Sequence, residues 1–123
     1  MELSKILLVD DEPDIRIVAE MSLSKVGGWE VAQASSGLEA LEVAQREHPQ
    51  LILLDVMMPG MDGPETLRAL RAAGSDAPVV FMTAKVQNHE VEGYLEIGAE
   101  GVISKPFDPM RLPAQVRTIA EGL

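Results

Sequence analysis

The chain has 123 residues and carries 20 Asp and Glu against 10 Lys and Arg, a formal net charge of −10. That length suits one domain, residues 1–123, and the acidic balance argues against a nucleic-acid surface, which needs clustered cations. With no cysteine, a disulfide framework and a thiolate metal site are both excluded, as fits a reducing compartment. Aromatic residues are only 3% of the chain, so aliphatic side chains and Met must build the core. Four consecutive apolar residues before Asp10 are too few for a signal-peptide core. No run approaches the length of a membrane helix. The expectation is a soluble, cytoplasmic domain that binds neither nucleic acid nor membrane.

The elements follow in chain order. Lys5–Val9 reads as a strand. A helix begins at Pro13, with Ile15, Val18, Ala19 and Val26 on one stripe at helical spacing, and Gly27-Gly28 ends it. Glu30–Ala34 alternates polar and apolar, which suits an edge strand. Ser36-Gly37-Leu38-Glu39 has capping-box spacing and opens a second helix to Glu47, barred from continuing by Pro49.

Leu51–Asp55 is the most apolar stretch and reads as a central strand. Asp62 caps a third helix that Pro64 opens and Gly74 stops. Val79–Thr83 is a fourth strand, residues 87–97 a fourth helix and Gly101–Ser104 a fifth strand. Asp108-Pro109 reads as the cap and first-turn proline of a last helix, amphipathic through Leu112, Val116, Ile119 and Leu123.

Five βα units imply a three-layer, doubly wound α/β fold with a parallel sheet. The edge-like second strand and the apolar first and third favour the flavodoxin-like order 2-1-3-4-5. Ligands of such sheets sit beyond the strands' carboxyl ends, where the order reverses. Here that point falls between Asp10-Asp11, after strand one, and Asp55, ending strand three. Lys105-Pro106 closes strand five at the same rim. Three carboxylates and an ammonium gathered there suit a divalent cation and a phosphoryl group.

Taken singly, each residue has a plainer reading. Asp10-Asp11 could be a solvated turn, Asp55 a loop acid or cap, Thr83 a strand-end residue and Lys105 a solvated charge. Their convergence on one rim favours a site. His48 and His89 lack ligand-like partners and read as surface residues, Met58 as core, Met57 and Met61 as loop lining, and Trp29 as a packing residue.

Leu8-Val9-Asp10-Asp11-Glu12, the stretch from Asp55-Val56-Met57-Met58-Pro59 to Asp62-Gly63, Met82-Thr83-Ala84 and Lys105-Pro106-Phe107 occur in this order. Together they resemble the receiver domain of bacterial response regulators. The resemblance implies that Asp55 accepts a phosphoryl group from a histidine kinase or a histidine phosphotransfer protein, with Mg²⁺ as cofactor. It implies Asp11, Asp55 and the Met57 carbonyl as direct metal ligands and Asp10 largely through water. It also implies Lys105, the Thr83 hydroxyl and the Met57 and Ala84 N–H groups as phosphoryl contacts, and a cis Lys105–Pro106 bond. The start of helix one, with Ile15, Arg16 and Ala19, would be the kinase surface.

One position departs from the family pattern. Where receivers carry Tyr or Phe three residues before the Lys, this chain has Val102, too small and too stiff to repeat an aromatic switch. A shift of residues 84–88 and of helix four would then display the phosphorylated state. Met57 cannot hold a hydrolytic water by hydrogen bonding, which leans toward a long-lived phosphoryl group. The downstream protein is not specified by the sequence. A phosphate sink, a relay intermediate and a partner-binding pseudo-receiver are the competing expectations, for a stand-alone regulator or a receiver cut from a larger one.

Overall fold

The computed structural model describes residues 2–123. The strands β1 (Lys5–Val9), β2 (Glu30–Ala34), β3 (Leu51–Asp55), β4 (Val79–Thr83) and β5 (Gly101–Ser104) form one sheet in the order β2-β1-β3-β4-β5. Every neighbouring pair is parallel, as expected. β3 and β4 are buried at all positions, which explains apolar runs without alternation. β2 lies at an edge with Glu30 and Gln33 exposed.

The helices are α1 (Pro13–Met21), α2 (Gly37–Glu47), α3 (Gly63–Ala72), α4 (Asn88–Glu96) and α5 (Leu112–Glu121), and a π-helical segment, Ser22–Val26, continues α1. On one face of the sheet, Ile6, Leu8, Leu51, Leu53, Val80, Met82 and Ile103 pack with α1 and α5 through Ala19, Leu23, Leu112, Val116 and Ala120. On the other, Leu7, Val9, Ile52, Leu54, Val79 and Phe81 pack with α2 and α3. α4 buries no residue fully. It rests on this second layer through half-buried Tyr94, whose ring meets Phe81 edge-on at 5.3 Å between centroids.

Some local expectations are corrected. In α1, Ala19 is buried, but Val18 and Val26 are 41% and 49% exposed, while Ser22 and Leu23 turn inward. The π segment is the cause beyond Met21: Gly27 N–H donates to the Ser22 carbonyl and Trp29 N–H to that of Leu23. Its wider turn rotates Val26 off the stripe that a 3.6-residue period assigns to it.

Asp108-Pro109 does not open α5. The Arg111 and Leu112 N–H groups donate to the Asp108 carbonyl and close a separate turn. The helix starts at Leu112, with Pro113 in its first turn. Leu123 falls past its end and is exposed, and Ala120 is buried instead.

The α2 cap is half a capping box. Ser36 Oγ accepts the Glu39 N–H at 3.1 Å, whereas the Glu39 carboxylate binds the N–H and hydroxyl of Ser35. α3 has the complete box, between Asp62 and Glu65.

Candidate functional site

Register brings the acidic strand ends together. Val9 pairs with Leu54, so Asp10 and Asp55 lie side by side, one residue beyond that pair. Thr83 pairs with Ser104, and the Lys105 N–H donates to the Thr83 carbonyl at 2.9 Å, fixing where β5 releases its lysine. One carboxylate oxygen from each of Asp10, Asp11 and Asp55 lies within 4.8 Å of the others. The Lys105 ammonium stands 2.9 Å from Asp10 Oδ2 and 3.3 Å from Asp55 Oδ1. The expected residues therefore converge.

Asp10 is wholly buried and Asp55 nearly so. Asp10 Oδ1 accepts the Glu12 N–H at 2.9 Å, which folds the β1–α1 turn around the carboxylate. Asp55 Oδ1 accepts the Met57 N–H at 3.3 Å and also faces Lys105. Neither of these contacts uses Asp55 Oδ2. Thr83 is buried, and its hydroxyl oxygen accepts the Lys85 N–H at 3.0 Å. Ala84 is exposed beside it, and the Met57 side chain is 65% exposed at the rim. The Lys105–Pro106 bond is cis.

Burial first, and then the Asp10 charge, push the Asp55 carboxyl up from 3.8 to about 6, against the pull of Lys105 and the Met57 N–H. Burial acts to lower the Lys105 ammonium, but its bond to Asp10 and the charges of Asp10 and Asp55 outweigh this and raise it. The site thus has more negative charge than its one ammonium balances. Its donors are hard oxygens, the set that Mg²⁺ takes together with waters and phosphate oxygens.

A cleft of about 430 Å³ opens over these groups, lined by Glu12, Ile15, Val18, Met57, Ala84, Pro106 and Phe107 as well as Asp55, Thr83 and Lys105. A groove of about 530 Å³ at the opposite end of the sheet, by Gln45, His48 and Asp76, holds none of the clustered carboxylates. One member of the expected kinase surface, Ala19, is displaced. Ala19 is buried in the core, and Arg16 donates to the Asp10 carbonyl at 2.7 Å. Ile15 and Val18 line the cleft.

The site also depends on two contacts that the sequence did not foretell. Gly63 sits so close to the strand end that a Cβ there would lie 2.8 Å from both the Asp55 carbonyl oxygen and Val56 Cα. The Arg16 bond to Asp10 is a second such feature. Helical periodicity could not have found either, since both depend on how separate segments meet.

This strand order, with an acidic trio at the switch point and a lysine ending the last strand, defines a receiver-type phosphoacceptor fold. Residues 6–117 match the family model described as response regulator receiver domain, and the chain belongs to that family. It is 42% identical over 119 residues to the probable transcriptional regulator ycf27 of Porphyridium aerugineum, covering 97% of this chain and 49% of that protein. It is 41% identical over 115 residues to the alkaline phosphatase synthesis transcriptional regulatory protein PhoP of Bacillus subtilis (strain 168), covering 94% and 48%. The chain therefore spans about half the length of these curated relatives. The chemotaxis protein CheY4 of Vibrio cholerae superposes with a TM-score of 0.86 at 32% identity, covering 96% of this chain and 99% of that one. Receivers of two-component response regulators act generally as phosphoacceptors and generally bind Mg²⁺ at an acidic cluster.

Proposed function

We propose that Asp55 is the phosphoacceptor of this receiver and that residues 1–123 act as one such domain. An oxygen of its carboxylate attacks the phosphorus of a phosphohistidine, the P–N bond breaks, and the imidazole leaves with the electron pair. The observation that supports this most directly is the convergence of Asp10, Asp11 and Asp55, with the Lys105 ammonium 3.3 Å from Asp55.

Asp10, Asp11, Asp55 and the Met57 carbonyl would hold Mg²⁺, which, when bound, neutralises charge on the phosphoryl oxygens. Lys105 and the Thr83 hydroxyl contact the transferred group, and the Met57 and Ala84 N–H groups add donors. The exposed thioether of Met57 offers a hydrolytic water no strong partner, which favours a long-lived phosphoryl group.

The donor is a histidine kinase or histidine phosphotransfer protein, seated on Ile15, Val18 and Phe107 around the cleft. A cytoplasmic location, usual for receivers, belongs to the same reading. Signal passes through residues 84–88 and α4. The Thr83 hydroxyl holds the Lys85 N–H, so its movement toward a phosphoryl group pulls on that exposed segment.

Incubation with acetyl phosphate and Mg²⁺, followed by intact-mass measurement, tests the assignment. The wild type gains one phosphoryl mass and Asp55→Asn gains none. Equal gain in both proteins would refute it.

A further inference from the structure

Among the described residues, the buried polar side chains outside the acidic site are Ser22 and Thr66. Thr66 donates to the Asp62 carbonyl within its own helix. Ser22 is different: its hydroxyl donates to the carbonyl of Pro109, 87 residues along the chain. Ser22 opens the π-helical segment of the first helix, and Pro109 lies in the stretch between Lys105 and α5. The hydroxyl therefore joins the helix that walls the cleft to the segment that carries Lys105, Pro106 and Phe107.

The segment's other anchors lie at its start, where the Lys105 ammonium meets Asp10 and Asp55 and Phe107 packs against the core. Two prolines, Pro106 and Pro109, remove backbone donors from it. Its turn is closed only on itself, by Met110 N–H to Asp108 Oδ1 and by Arg111 and Leu112 N–H to the Asp108 carbonyl. Lys105 is anchored at its own N–H by Thr83, but the chain beyond it turns back toward α1. A hydroxyl buried away from water must find a partner. Here the partner fixes the distance between two walls of the cleft. π-helical turns inserted in α-helices are frequent at functional sites, where they re-aim a side chain. Here Ser22 is the first residue of the π segment and lies against the 105–110 segment.

We infer that Ser22 is a positioning residue for phosphoryl transfer, holding the 105–110 segment so that Lys105 and Phe107 face the acceptor carboxylate. The inference rests on the assignment of Asp55 as phosphoacceptor. It requires no contact between Ser22 and the reacting atoms. The carboxylates that would hold Mg²⁺ come from β1 and β3, whereas Lys105, their counter-charge, follows the end of β5.

The test compares wild type, Ser22→Ala and Ser22→Thr at a temperature well below every melting point. Amide hydrogen exchange at residues 110–112 accelerates about tenfold or more in Ser22→Ala, while β1 and β3 keep their protection. The rate of phosphorylation by acetyl phosphate at saturating Mg²⁺ falls about tenfold, as for a modest misplacement of a catalytic group. Ser22→Thr, which keeps the hydroxyl, recovers most of the rate.

A lowered melting point with an unaltered rate in Ser22→Ala would make the hydroxyl a structural bond only and overturn the inference. Unaltered exchange at residues 110–112 would overturn it equally. Failure of the wild type to take up a phosphoryl group would instead remove the acceptor assignment, and the exchange data would still decide whether the hydroxyl holds the segment.

Discussion

Lys105 lies nearer to Asp10 than to Asp55, at 2.9 Å against 3.3 Å, although Asp55 is the proposed nucleophile. The ammonium thus neutralises the wholly buried acid first and leaves Asp55 under-compensated. Truncating it in Lys105→Ala leaves two buried carboxylates without a cation. Loss of one partner of a buried pair costs roughly 3 kcal/mol or more. Metal-free Lys105→Ala should therefore unfold at a lower denaturant midpoint, and Mg²⁺ should narrow the gap to wild type. A gap that Mg²⁺ leaves unchanged would mean that the ammonium does not serve as the cluster's counter-charge.

Charge crowding among Asp10, Asp11 and Asp55 also makes the fold respond to metal. Two unit charges about 4 Å apart repel by roughly 4 kcal/mol at an effective dielectric near 20. A cation that binds only the folded cluster adds about 2.7 kcal/mol of stability at a hundred times its dissociation constant. Thermal melts with and without Mg²⁺ should show this rise in wild type and a much smaller one in Asp11→Asn. An Asp11→Asn protein with the full wild-type response would count against the cluster as the metal site.

The raised Asp55 carboxyl sets a pH dependence whose sign is fixed. In the folded chain it holds its proton up to about pH 6, whereas the unfolded reference is 3.8. Its stabilising contribution is complete below the unfolded value and is lost as pH rises through about 6. The rise from 3.8 to about 6 corresponds to roughly 3 kcal/mol. Without metal, Asp55→Asn should therefore be more stable than wild type at pH 7.5, with the difference shrinking toward pH 4. Denaturant titrations at the two pH values measure it. Parallel pH profiles for the two proteins would contradict the assignment.

Gly63 is required by proximity rather than by an unusual backbone angle. A Cβ at 2.8 Å from the Asp55 carbonyl oxygen and Val56 Cα has no flexible side chain to displace. Gly63→Ala should cost roughly 1–3 kcal/mol, the range for overpacking a rigid contact. It should also slow acetyl-phosphate labelling of Asp55 by moving the end of β3. Equal stability and equal labelling rate would show that the backbone yields without consequence.

Tyr94 attaches α4 to the body of the protein through its edge contact with Phe81. Aromatic pairs contribute about 0.5–1.5 kcal/mol beyond their buried area. Tyr94→Ala should accelerate amide exchange along α4 several-fold while leaving β3 and β4 protected. Spectra of wild type with and without beryllofluoride should change most at residues 84–88 and α4. No change there would exclude this route for the signal.

The strands, their order and the identity of the rim residues could be read from the pattern of apolar and polar residues. Doubly buried strands must be apolar, and the residues that end them must be the first polar ones. Asp10, Asp55, Thr83 and Lys105 were legible because each breaks or closes such a run. Helix faces were less legible. The stripe failed at Val26 because periodicity assumes one pitch, and the turn at Ser22–Val26 is wider. Contacts across the chain emerged from packing alone: Arg16 on the Asp10 carbonyl, Gly63 against Asp55, Ser22 on Pro109. Such contacts join segments that packing brings together, and no local pattern of polar and apolar residues encodes them.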